Sequence, residues 1–145
     1  MDRTVLLFIK SGMIYLLAGT ALGFFLLNRQ FIVLHPGYTT AHAHLNLVGF
    51  VMMLIYGVGY HILPRFSGKP LYSQSIAKIH FFLANLGLIG MVTTFILESS
   101  PAMTALKAAA GLTLAASLAL FVVNIWLTIP KLAEAAPPLT AKKPG

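Results

Sequence analysis

The run Thr40-Ala41-His42-Ala43-His44-Leu45-Asn46-Leu47-Val48-Gly49 leads straight into an apolar segment that closes with Tyr60-His61-Ile62-Leu63-Pro64-Arg65. Three of the five histidines lie in this segment, and a fourth, His80, opens the next apolar run. Imidazole serves no packing purpose in lipid. Polar groups in a bilayer are costly, and they mark ligand sites or conduction paths. Imidazole nitrogen is also the commonest protein ligand for transition metals. The residues are therefore suited to hold a metal, or a cofactor that carries one, inside a membrane.

Composition narrows the choice. With no cysteine, disulfides, iron–sulfur clusters, thiolate-bound zinc and covalently attached haem are excluded. Only Asp2, Glu98 and Glu134 are acidic, so imidazole is the default ligand and the iron of a b-type haem the leading occupant. Copper or zinc bound by imidazole is the alternative. Of the 145 residues 58% are hydrophobic and 9% charged, against about 25% charged in a soluble domain. The net charge of +7 does not indicate nucleic acid, because the Lys and Arg residues lie between and beyond the apolar runs, as in loops at a membrane surface.

Four apolar segments position these histidines. They run from about residue 5 to 27, 42 to 63, 76 to 97 and 106 to 129, each near the roughly 20 residues that cross a hydrocarbon core. The first is too long for a signal-peptide core and no small-residue cleavage site follows, so it reads as a retained helix. Links are short, with Pro36-Gly37, Pro64 to Pro70, and Ser99-Ser100-Pro101 as breaks. The expected fold is all-α: an integral membrane four-helix up-down bundle over residues 1–130. A flexible, Ala-, Pro- and Lys-rich tail is expected over 131–145. Arg3, Lys10, Arg65, Lys69, Lys78, Lys131, Lys142 and Lys143 fall on one side, and Arg29 and Lys107 with Glu98 on the other. This asymmetry predicts cytoplasmic termini in the inner (cytoplasmic) membrane, with His42 and His44 near the outer face.

A regular helix separates His42 from His61 by roughly 28 Å, so one ligand cannot bind both. Two clusters are expected: His42 with His44 outside, and His61 with His80 inside. At i and i+2, His42 and His44 face different ways. His61 and His80 sit at similar depth, suited to a mutual hydrogen bond, a shared metal, or plain interfacial roles. Gly49, Gly57, Gly59, Gly87 and Gly90 leave room for a bulky group or for close helix packing. Asn124 is the candidate partner for Asn85.

The run from His42 to Arg65, with Gly49, Gly57, Tyr60 and Leu63-Pro64-Arg65, resembles the second transmembrane helix of the catalytic subunit of haem–copper oxidases, especially the cbb3-type and nitric-oxide-reductase-like members. Ile76 to Met91 resembles the helix that follows. The resemblance implies that His42, with His44 as contender, is an axial ligand of a low-spin haem. Arg29 and Lys107 would then be candidates for the haem propionates. The oxidase subunit has about twelve helices, and its copper ligands lie in helices with no counterpart among these four. The resemblance thus implies a shortened relative that does not reduce oxygen by itself.

A second axial ligand would come from His42 of another copy, since a two-fold dimer pairs like residues, or from a different membrane partner. The expected function is a small haem b membrane protein for electron transfer or redox sensing, taking electrons from quinol or a respiratory-chain partner. A copper or zinc protein using His42, His44, His61 and His80 is one alternative. A non-catalytic structural or assembly subunit of a respiratory complex is the other.

Overall fold

Two serines and a proline set where the later helices begin. Ser73 caps one helix by accepting from the Ile76 N–H (3.2 Å). Ser100 caps the next by accepting from the Met103 N–H (3.2 Å), with Pro101 at the first helical position, where its missing N–H costs nothing. The computed structural model describes residues 2–27, 36–68, 70–97 and 100–129. Its elements are α1 (Arg3–Leu27), α2 (Gly37–His44), a π-helical segment (Leu45–Met52), α3 (Met53–Phe66), α4 (Gln74–Ile96) and α5 (Pro101–Thr128). There is no strand among the described residues. The tail expected over 131–145 lies outside them.

Within these residues four helical spans are long and apolar enough to cross a membrane, and the second is α2, the π segment and α3 run together over Gly37–Phe66. They form a four-helix membrane bundle, so the chain is a multi-pass membrane protein. Helix is what a lipid-embedded chain requires, because every backbone N–H and C=O must find its partner within the segment. The observed bounds differ from the expected ones at their starts. The second span begins five residues before residue 42, directly after Pro36. The fourth begins at Pro101 rather than residue 106, because Ser100-Pro101 acts as a helix start and not as a loop.

α1 packs along the second span, and α4 along α5. The four spans meet at one level. Phe8 of α1, Tyr56 and Tyr60 of α3, and Phe121 of α5 surround His80 of α4, which is fully buried. Ring centroids lie 4.4 Å from His80 for Tyr56 and 4.9 Å for Phe8. Lipid tails are as apolar as the core, so dispersion contacts of this kind hold the spans together more than burial does.

The turn before α4 is clamped to the end of α5. Asn124 Oδ1 accepts from the Ser73 N–H (3.0 Å) and its Nδ2 donates to the Ser73 carbonyl (2.9 Å). Thr128 Oγ1 accepts from the Tyr72 N–H (3.1 Å). Asn124 therefore binds backbone, and Asn85 is bonded elsewhere: its Oδ1 accepts from the Tyr15 hydroxyl (2.7 Å), which corrects the expected Asn85–Asn124 pair. Asn85 lies 12 residues along α4 from Ser73, to which Asn124 is bonded, a separation of about 18 Å along the helix. Replacing Asn124 with Ala strands both Ser73 groups. We expect it to destabilise the bundle by about 2 kcal/mol, read from unfolding titrations in detergent. A loss below about 0.5 kcal/mol would mean that water replaces the clamp.

Candidate functional site

His42 ends up facing α1. Its Nδ1 lies 2.8 Å from the Gly19 carbonyl oxygen. Asn46 Nδ2 stands 3.3 Å from the same nitrogen, but the shorter contact is to a carbonyl, which only accepts, so Nδ1 carries the proton and in the neutral ring Nε2 carries the lone pair. Metal-binding histidines are held in the same way, with one nitrogen donating to a backbone carbonyl and the other left to bind. Asn46, one turn on, donates from Nδ2 to the His42 carbonyl (2.9 Å). That carbonyl is the acceptor the Asn46 backbone N–H would use in an α-helix. Side-chain competition for it accompanies the change to the wider π ladder at Leu45. Such π segments are frequent at functional sites.

Two glycines of α1 permit this approach. A Cβ on Gly23 would stand 2.8 Å from His42 Cε1, and one on Gly19 would collide with the Asn46 amide. Beside them runs a groove of about 850 Å³ lined by Thr20, Gly23, Phe24, Leu27, His42 and Asn46, with Leu26. This lies within the roughly 300–1,000 Å³ of small-molecule and cofactor sites. Phe24 and Leu27 are strongly exposed, so the groove's outer wall faces lipid. An imidazole with a free lone pair, set in an apolar wall with few polar groups, suits a flat apolar macrocycle with iron at its centre. Gly19 and Gly23 went unnoticed in the sequence, although Gly19-Thr20-Ala21-Leu22-Gly23 has the small-residue spacing that lets membrane helices approach.

His44 faces the other way, as its i+2 spacing implies. Its Nδ1–H donates to the Thr40 carbonyl (2.9 Å), and its ring lies 4.8 Å from that of Phe95 on α4. Lys107 Nζ stands 5.3 Å from the centre of the same Phe95 ring. The structure thus brings Lys107 to the side of His44 and not into the groove of His42. Arg29 lies outside the described residues.

His61 and His80, expected as a pair, take separate partners. Arg65 Nη1 donates to the ring of His61, one turn away. The hydroxyl of Tyr60 lies 2.9 Å from His80 Nδ1, and His80 Nε2 is buried without a hydrogen-bond partner among the described residues. Its ring edge meets the surrounding aromatic rings instead, and Tyr56 stands at 77° to it. Among the described residues no three His, Cys, Asp or Glu side chains gather as a metal cluster.

The sequence model of the family described as "Cytochrome C and Quinol oxidase polypeptide I" matches residues 1–132. The match takes in the histidine-bearing second span and extends over α1 and α5. No curated protein matches the chain.

Proposed function

Since this chain belongs to the cytochrome c and quinol oxidase polypeptide I family, we propose that it is a membrane protein that binds haem b beside α1, for electron transfer or redox sensing. The observation that carries this reading is the His42 ring: its Nδ1–H is engaged by the Gly19 carbonyl (2.8 Å), which leaves Nε2 for iron at the edge of the apolar groove. The bound group would supply one-electron chemistry at iron. The protein's share is to orient the imidazole through Gly19, to hold Asn46 against the His42 carbonyl, and to keep water away with Phe24 and Leu27.

Among the described residues one imidazole lines this groove, and a second axial ligand would come from another copy or a different membrane partner. A two-fold dimer that presents His42 twice to one haem is the simplest arrangement. The basic residues near the starts of α1 and α4 and the end of α3 support cytoplasmic termini in the inner (cytoplasmic) membrane. With that orientation His42 lies in the outer half, within reach of quinol in the lipid or of a respiratory-chain partner. A closed copper or zinc site normally takes more imidazoles than any described cluster provides, which favours haem.

The test is the visible spectrum of the full chain purified from haem-supplemented cells. A reduced-minus-oxidised haem b signal is expected, with two chains per haem in native mass spectra. Protein that carries no haem overturns the reading. A monomer with a six-coordinate haem overturns the dimer.

A further inference from the structure

Arg3 and Lys78 hold equivalent places on two spans that enter the membrane from the same side. α1 begins at Arg3, and Lys78 lies near the start of α4. One helical turn deeper, at i+4, each is followed by an apolar residue: Leu7 beneath Arg3 and Phe82 beneath Lys78. These four side chains, with Asp2 and Thr4, line a single cavity of about 420 Å³. Leu7 and Phe82 are both exposed, Phe82 at 69%, so the deeper wall of the cavity opens on lipid.

The charges in the cavity do not balance. Among the described residues Asp2 is its only carboxylate, and Asp2 Oδ1 accepts from the Thr4 N–H (2.7 Å), capping its own helix. Neither Arg3 nor Lys78 has an ion-pair partner among the described residues. Two cations drawn to one cavity repel each other unless an anion comes between them. The required occupant is anionic at the membrane surface and apolar one turn deeper.

We propose that this cavity binds an anionic glycerophospholipid. The phosphate lies between Arg3 and Lys78, and an acyl chain runs along Leu7 and Phe82. Guanidinium and ammonium both suit a phosphate, and the step from cation to apolar side chain over one turn matches the step from headgroup to chain. The site is on the opposite face of the membrane from the groove of His42 and does not depend on what that groove holds.

The test uses the full chain in neutral detergent, titrated with phosphatidylglycerol, phosphatidylcholine or phosphatidylethanolamine, with bound lipid counted by native mass spectrometry. Phosphatidylglycerol is expected to bind most tightly. Arg3→Gln and Lys78→Gln each weaken it about fivefold, the worth of one cation near an anionic lipid, and Lys78→Arg retains it. Lys10→Gln, which removes a cation of α1 outside the cavity, leaves it unchanged. Equal binding of the three lipids overturns the proposal, as does an equal loss in Lys10→Gln. Displacement of the lipid by millimolar inorganic phosphate identifies a free-phosphate site instead and also overturns it.

Discussion

Replacing His42 with Ala is expected to remove haem b from the purified protein, lowering haem affinity by more than about a hundredfold. Outer-shell changes at metal sites already cost about 10–100-fold, and this change deletes the proposed ligand itself. The bundle should persist, because His42 is only partly buried and packs against the two glycines of α1 rather than within the ring cluster around His80. His44→Ala is the matched control: it removes an imidazole two residues away that faces Phe95, and the haem signal should survive. An unchanged six-coordinate spectrum in His42→Ala would reject His42 as the ligand. Loss in His44→Ala with retention in His42→Ala would transfer the role to His44. Helical content by circular dichroism separates either result from unfolding.

The largest expected effect on stability is at Gly87, where α4 crosses α5. A Cβ there would stand 2.8 Å from Leu114 Cγ, 2.9 Å from the Leu114 backbone N and 3.1 Å from the Ala110 carbonyl oxygen. Backbone cannot swing aside as a side-chain end can, so the two helices would have to part. Gly87→Leu should cost about 3 kcal/mol or more, at or above the upper end for overpacking. The loss is measurable by unfolding in detergent and by protease access to the α4–α5 turn. Gly90→Ala meets only the Ala110 Cβ, at 3.1 Å, and should cost far less. A loss at Gly87 below about 1 kcal/mol would mean that α4 and α5 part freely at this crossing.

The fold was largely legible in the residues because its causes are additive along the chain. Hydropathy summed over about 20 residues identifies each span, and lipid leaves helix as the way to satisfy a single crossing backbone. The family resemblance was carried by residues 41 to 91, and the family match covers residues 1–132. Helix starts were less legible. Ser-Pro marks a turn or a capped first turn equally well, and at Ser100-Pro101 it is the cap.

At the site, the sequence alone determined that imidazole is the available ligand and that His42 and His44 point apart, since chemical type and helical period are local properties. Only the tertiary structure decided which way each points. Rotation of a span about its axis is set by its neighbours, and here Gly19 and Gly23 admit His42 to α1 while Phe95 receives His44. Packing also decided which ring nitrogen is left to bind. The Gly19 carbonyl that holds the His42 proton is 23 residues away along the chain, and no pattern around His42 encodes it. The partners of His80 and Asn85 were settled in the same way. Tyr60 and Tyr15 reach them from other spans, and which hydroxyl stands beside a buried polar group is set by the packing of the spans.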